Sequence, residues 1–141
     1  MFEIIKNNPN NTFYSVNKEM IITAEQNMGI IIPSILKSFY EEIGYGFLET
    51  KKYNINRIMG PSSIEEFRLC KGQFENSDEV EILEKYTSDK VIFFEVNESL
   101  YLSIGIAKGN IGKVFYYDEM IAETLDEFFE RYITNERYFL G

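Results

Sequence analysis

Carboxylates are the side chains with which this 141-residue sequence could do chemistry: it has 23 Asp and Glu, no histidine and one cysteine, Cys70. Because histidine is absent, no Ser–His or Cys–His nucleophilic pair can form. A zinc site, which draws on several Cys and His side chains, is not expected. One cysteine cannot form an intramolecular disulfide, so a reducing compartment is expected. Cys70 follows an apolar run, which predicts a buried and unreactive thiol.

The acidic residues are concentrated in the second half of the sequence. Residues 71–141 carry 15 acidic and 7 basic side chains, a net charge of −8, whereas residues 1–70 carry 8 and 7, a net charge of −1. Three interpretations stay open at this point: a solvated face, a carboxylate pair for acid–base catalysis, and an electronegative surface that docks a basic protein. The densest stretch provides five candidate partner-binding carboxylates, Glu75, Asp78, Glu79, Glu81 and Glu84.

Two further motifs resemble ligand sites without meeting their chemical requirements. Residues 76–82 begin like a calcium loop, but Val80 and Ile82 stand where oxygen ligands and a glycine turn are needed. The glycine-rich segment Gly105–Lys113 departs from the phosphate-loop pattern and is followed by a strand pattern instead of a helix. Its Gly109-Asn110 pair favours a hairpin turn. We therefore expect no metal and no cofactor.

The composition is that of one soluble globular domain, since 45% hydrophobic and 26% charged residues exclude a disordered or collagen-like chain. The apolar stretch Ile30–Ile32 ends at Pro33 and is too short to span a membrane. Met1–Lys6 lacks the basic and apolar regions of a signal peptide. Because anionic lipids and nucleic acid repel an anionic chain, we expect a cytoplasmic protein without direct membrane or nucleic-acid contact.

Capping signals and apolar spacing predict three helices in the first half. One begins at Thr23, where Thr23 and Gln26 form a capping box, and ends at Gly29. The second follows Pro33 and repeats apolar residues along one face. The third begins at Pro61, with a capping box formed by Ser62 and Glu65 or by Ser63 and Glu66.

Strand patterns and a closing helix fill most of the remaining sequence. Short strands are predicted at 12–16, 47–50 and 53–58, and longer ones at 91–94, 100–106 and 113–117. Residues 75–89 fit a helix from Asp78 better than an edge strand. The closing helix carries an apolar stripe, Ile121, Leu125, Phe128 and Tyr132, with acids at 119, 123, 126, 127 and 130 on the opposite side. Residues 1–11 are a poorly defined N-terminal segment with an Asn-rich turn.

Several of these motifs together resemble one family over residues 23–133. A helix containing Phe39-Tyr40 follows Ile32-Pro33 and stops at Gly44-Tyr45-Gly46. Later, Val114-Phe115-Tyr116-Tyr117-Asp118 leads into Ile121-Ala122-x-x-Leu125-x-x-Phe128-Phe129. In this order the motifs are similar to those of the SUKH superfamily. The resemblance implies a single α+β domain over residues 1–141, with a mixed, mainly antiparallel sheet and packed helices, and no enzymatic activity.

Bacterial members of that superfamily resemble immunity proteins of polymorphic and contact-dependent toxin systems, and its founding members are fungal regulators of cell-wall glucan synthesis. The first hypothesis is therefore an immunity protein that binds a basic toxin domain, often a nuclease. In it Tyr45 and Tyr101 serve as aromatic anchors beside the five carboxylates, because tyrosine is favoured at binding hot spots. The alternative is a regulatory or scaffold module related to the cell-wall synthesis regulators. A carboxylate-pair enzyme is the third hypothesis.

Overall fold

The computed structural model describes residues 1–49 and 54–141. Within them, a seven-stranded sheet pairs every strand antiparallel with the next strand of the chain. The strands are β1 (Thr12–Tyr14), β2 (Tyr45–Phe47), β3 (Arg57–Ile58), β4 (Lys90–Asn97), β5 (Leu100–Gly105), β6 (Val114–Tyr116) and β7 (Glu119–Ala122). The helices are α1 (Glu3–Lys6), α2 (Lys18–Met28), α3 (Ser34–Glu42), α4 (Pro61–Arg68), α5 (Asp78–Leu83) and α6 (Leu125–Thr134).

One face of the sheet packs against α1, α3 and α6 through aromatic side chains. Phe94 of β4 lies 5.3 Å from Phe128 of α6, measured between ring centroids. Phe129 of α6 lies 5.2 Å from Phe39 of α3, and Phe39 lies 5.1 Å from Phe2 beside α1. All five rings are almost fully buried, and each aromatic side chain removes a large apolar area from water. This cluster is the centre of the hydrophobic core.

The opposite face of the sheet is covered in part by α4 and by a short 3-10 helix, Gly72–Phe74. Phe67 of α4 and Phe74 lie 5.0 and 6.1 Å from the Tyr101 ring of β5. Helix α2 packs on the outside of α4, where Asn27 Nδ2 donates a hydrogen bond to Glu65 Oε1. Helices on both faces of a mainly antiparallel sheet confirm the predicted α+β fold.

Several predicted elements are confirmed near their expected positions. Helix α3 follows Pro33 and buries Leu36, Phe39 and Tyr40 along one face. Strands β4, β5 and β6 occupy the three predicted apolar segments, and the connection through Gly109-Asn110 joins the antiparallel pair β5–β6. Residues 78–83 form the predicted helix, α5. In residues 1–11, by contrast, no helix was predicted, yet they contain α1, whose Ile5 is buried in the core.

Both predicted capping boxes in the first half are wrong. Helix α2 begins five residues before Thr23, because Asn17 Oδ1 accepts a hydrogen bond from the Met20 N–H and caps the helix there. Gly29 ends α2 as predicted, with a left-handed φ of 70°. Helix α4 is preceded by Gly60 and has no side-chain cap. The Glu65 carboxylate, one of the two alternative cap partners predicted from the sequence, instead bonds Asn27 and Lys71.

The last helix starts later than its apolar stripe predicted. Residues 119–122 form β7, which pairs with β6, so Ile121 belongs to the sheet and α6 begins at Leu125. The predicted acidic helix face therefore keeps only positions 126, 127 and 130. Thr124 caps α6 by accepting a hydrogen bond from the Glu127 N–H. The strand predicted at 47–50 is the shorter β2, starting at Tyr45, and residues 50–53 lie outside the described part.

Candidate partner-binding site

A row of side chains crosses four strands on the sheet face that α4 covers only in part. Cross-strand pairing places Phe47 of β2 opposite Arg57 of β3, Arg57 opposite Glu95 of β4, and Glu95 opposite Tyr101 of β5. Directly paired residues point to the same face of an antiparallel sheet. Phe74 and Ser77 lie in the connection between α4 and β4. Together with them, the row lines a groove of about 390 Å³. We call it the sheet groove.

The floor of the sheet groove holds an ion pair and a tyrosine hydroxyl. Arg57 Nε lies 2.9 Å from Glu95 Oε1, although its N–H bond is not aligned with that oxygen. The Tyr101 hydroxyl donates a 3.1 Å hydrogen bond to Glu95 Oε2. Burial, reinforced by the negative charge of Glu95, raises the pKa of Tyr101 far above its usual value, so the hydroxyl stays protonated. The Glu95 carboxylate is therefore engaged on both oxygens.

Residues 75–84, which we call the acidic segment, begin at the edge of this groove. Its helix α5 buries Leu83 and half-buries Val80, so the acidic side chains are turned outward. Glu75, Asp78, Glu81 and Glu84 are exposed, and Glu79 is half-buried. Within residues 1–49 and 54–141, none of these five carboxylates forms an ion pair.

A second cleft, of about 550 Å³, lies between α4 and the acidic segment. Phe67, Leu69 and Val80 supply apolar lining, and four of the five carboxylates line it as well, Glu75, Asp78, Glu81 and Glu84. Arg68 also borders the cleft, but its guanidinium donates hydrogen bonds to the carbonyls of Thr87 and Lys90 at 3.0 and 2.8 Å. The negative charge around the cleft thus exceeds the positive charge, an arrangement suited to a basic side chain.

Tyr45 lies on β2, two residues from Phe47 and on the same face. Its half-buried ring lies over Gly60, where a β-carbon would sit 3.0 Å from the Tyr45 Cγ atom. Its neighbour Gly46 has a φ of 148°, and a β-carbon there would lie 2.2 Å from the Thr12 carbonyl oxygen. Glycine therefore permits the close pairing of β1 and β2 that holds Tyr45. The Tyr14 ring, half exposed, lies 5.5 Å from the Tyr45 ring.

The fold brings most of the predicted site residues to one side of the molecule. Tyr101 and Ser77 line the same sheet groove, and Glu79 contributes to the negative potential at the Tyr101 hydroxyl. Tyr101 is only 7% exposed, so its ring supports the groove floor from inside the core. Partner contact by the predicted residues stays a prediction. Arg57 and Phe47 were not predicted, because only the strand register places Phe47 opposite Arg57 and Arg57 opposite Glu95.

The prediction that Cys70 is buried is wrong, because the residue is exposed. The residue follows the end of α4 with a left-handed φ of 54°, and the preceding Leu69 is itself 41% exposed. The apolar run before Cys70 therefore ends at the helix terminus and does not continue into the core. Its Sγ atom lies 3.6 Å from the carbonyl oxygens of Phe74 and Glu75, at the margin of the second cleft.

The described part of the chain has neither a cluster of metal-ligating side chains nor a membrane-spanning helix. No group of three or more His, Cys, Asp or Glu side chains there is placed to hold a metal ion. Among the same residues, no helix has both the length and the apolar character needed to cross a membrane.

Comparison with known proteins agrees with the motifs and with the fold. Residues 15–131 match the SMI1/KNR4 family (SUKH-1). The chain belongs to this family. The matched region runs from the end of β1 into α6, so the sheet groove, the second cleft and the acidic segment all lie within the SUKH-1 region. The resemblance to the SUKH superfamily is thereby confirmed.

One individual protein is similar to this chain over nearly its whole length. The chain is 40% identical over 139 residues to a protein named immunity protein YxxD, from Bacillus subtilis (strain 168). The alignment covers 99% of this chain and 95% of the relative. The similarity therefore extends over nearly the whole length of both proteins.

Proposed function

We propose that this chain is a cytoplasmic immunity protein that neutralises a cognate toxin by binding it, without catalysis. The observation that carries the proposal is its 40% identity, over nearly its whole length, to a protein named as an immunity protein. Membership of the SMI1/KNR4 family agrees with a protein that acts through a binding surface.

The charge distribution supports a basic toxin partner. The acidic segment presents carboxylates that make no ion pair among the described residues, around a cleft whose lining is partly apolar. Complementary potentials of this kind accelerate association and select for partners of opposite charge. A nuclease is the toxin class we propose, because a surface that binds nucleic-acid phosphates is basic. The acidic segment would then occupy the surface of the toxin that holds the nucleic-acid phosphates.

Co-expression with the toxin domain encoded beside this gene tests the proposal. We expect cells that express both proteins to survive, and the purified pair to form a complex at low salt that weakens as salt is added. The control is a folded, unrelated acidic domain of similar net charge, which is expected to give no protection. Lack of protection together with lack of a complex contradicts the proposal, and capture of many cytosolic partners would favour the regulatory or scaffold module.

A further inference from the structure

The second cleft has an apolar wall that is open to solvent. Its described lining residues all lie between positions 67 and 87, so one short stretch of the sequence builds it. Leu69, at the end of α4, is 41% exposed, and Val80 of α5 is half-buried. Both line the cleft, whose volume of about 550 Å³ admits a long side chain. The cleft is therefore a docking surface, and the charges around it select what enters.

Three of the carboxylates that line the cleft form a row along α5 and the 3-10 turn that follows it. Asp78, Glu81 and Glu84 are three positions apart in the sequence, and helical residues at this spacing lie one above another on the same face. Glu79 is one position out of the row and is not among the described residues that line the cleft. It adds negative potential at the Tyr101 hydroxyl instead. The acidic side chains of α5 are thus divided between the second cleft and the sheet groove.

The basic side chains closest to this row in the sequence are engaged with other groups. Residues 67–90 contain four of them. Their contacts are two main-chain carbonyls for Arg68, the Glu65 carboxylate for Lys71, the Tyr86 ring for Lys85 and the Asp89 carboxylate for Lys90. Within residues 1–49 and 54–141, no cation forms an ion pair with the carboxylates of the cleft. A cation supplied by a partner therefore fits this cleft, because it gains the attraction of several negative charges at once.

The spacing of the row favours arginine over lysine as that cation. Helical residues three positions apart have β-carbons about 5–6 Å apart, so neighbouring carboxylates lie within reach of one guanidinium. The planar guanidinium carries five N–H donors and can bond two carboxylates, whereas the ammonium of lysine is a compact and more strongly hydrated charge. The alkyl stem of arginine packs on apolar surface, which Leu69 and Val80 provide. Arginine is also enriched in protein interfaces, and lysine is depleted there.

We propose that the second cleft receives one arginine side chain of the toxin. Its alkyl stem packs against Leu69 and Val80, and its guanidinium donates hydrogen bonds to the row of carboxylates, with Glu81 at the centre. The inference rests on the proposed function and deepens it, because it separates carboxylates that contact the toxin from those that only add to the negative field. Glu79 belongs to the second group.

Two matched pairs of variants test the inference through their affinity for the toxin domain encoded beside this gene. Glu81→Gln removes a carboxylate of the cleft, and we expect it to weaken binding by about tenfold or more, the scale of a charge-assisted hydrogen bond. Glu79→Gln removes the same charge from the same helix outside the cleft, and we expect a loss of less than about threefold, the scale of a screened charge.

The second pair changes apolar surface and leaves the charge unaltered. We expect Leu69→Ser to weaken binding by about fivefold, because the arginine stem loses its apolar contact. Leu140→Ser is the control, since Leu140 is 39% exposed and belongs to the C-terminal 3-10 helix; near wild-type affinity is expected. Leu69 and Glu81 are both exposed, so their variants are expected to keep the wild-type melting temperature, and their losses report binding.

Single Arg→Gln substitutions on the toxin surface identify the inserted side chain. One of them is expected to weaken binding by about tenfold, and its loss is not expected to add to that of Glu81→Gln, because both changes break the same contact. Lysine at that toxin position is expected not to restore the affinity, since it lacks the planar fork.

The outcomes that contradict the inference differ from those that contradict the proposed function. Equal losses of affinity in Glu81→Gln and Glu79→Gln overturn the inference alone, since they show a diffuse negative field and not an occupied cleft. Full additivity between Glu81→Gln and every toxin arginine substitution also overturns it. Failure of the wild-type protein to bind the toxin overturns the proposed function and this inference together.

Discussion

The carboxylates inside the fold and those of the acidic segment have opposite surroundings. Glu25, Glu65 and Glu95 each have side chains less than 15% exposed, and each is paired with a cation of the same chain. Lys37 and the Ile32 N–H hold Glu25, Lys71 and Asn27 hold Glu65, and Arg57 holds Glu95. In the acidic segment, by contrast, four of five carboxylates are exposed, and none has such a cation among the described residues.

This difference separates acidic residues that stabilise the fold from acidic residues left for a partner. A carboxylate that is buried and bonded contributes to stability, and its removal leaves donors unsatisfied. An exposed carboxylate without a partner contributes little to stability and adds to the external field. The excess of 15 acidic over 7 basic side chains in residues 71–141 thus combines two populations that composition does not distinguish.

Glu25→Ala gives the largest expected effect on stability. The substitution removes the acceptor of the 2.8 Å hydrogen bond from the Ile32 N–H, whose residue is fully buried, and the partner of Lys37. Loss of about 1–3 kcal/mol in the free energy of unfolding is expected, the usual range for an unsatisfied buried donor. Denaturant unfolding measures it, with Glu81→Ala in the acidic segment as the control. Equal losses of unfolding free energy in the two variants would contradict the distinction between buried, paired carboxylates and exposed, unpaired ones.

The pH dependence of the free energy of unfolding tests whether Glu65, one of the buried and paired carboxylates, stabilises the fold. Burial raises the pKa of this carboxyl, but hydrogen bonds and charge from Lys71 and Asn27 outweigh burial and leave the pKa below its usual value. The contribution of Glu65 is therefore present above the unfolded-state pKa of about 4.3 and is lost as pH falls through the lower folded-state pKa. Glu65→Gln is expected to flatten this acid loss in unfolding measured at several pH values. If Glu65→Gln loses as much stability at low pH as the wild-type protein, the assignment of this loss to Glu65 is contradicted.

Local sequence patterns correctly predicted those helices and strands whose segments fit only one pattern. Helix α3 has Pro33 at its start and an apolar face throughout, and residues 91–94 of β4 are continuously apolar because both faces of the sheet are covered there. The start of α2 was missed because Thr23 and Gln26 match a capping box while Asn17 provides the actual cap. Strand β7 was missed because Ile121 lies four residues before Leu125, which imitates helical spacing.

The candidate site was predictable only in its separate parts. The acidic segment was visible in the sequence because its charges are contiguous. Its position beside Tyr101 and Phe47 depends on strand register and on the placement of Ser77, which no local spacing encodes. Arg57 and Glu95 have opposite charges nearly forty residues apart, and only the β3–β4 pairing makes them neighbours.

The most direct test of the account is the affinity of the adjacent-gene toxin domain for two matched charge-reversed proteins. One carries Glu75→Lys, Glu81→Lys and Glu84→Lys in the acidic segment. The other carries Asp118→Lys, Glu119→Lys and Glu130→Lys, which are also exposed but lie elsewhere. Both proteins start from a net charge of −9, and three acid-to-lysine substitutions change it equally in each. We expect the first to lose about 100-fold or more in affinity at low salt and the second to stay near wild type. Equal losses in the two proteins would contradict the claim that the acidic segment is the toxin-binding surface.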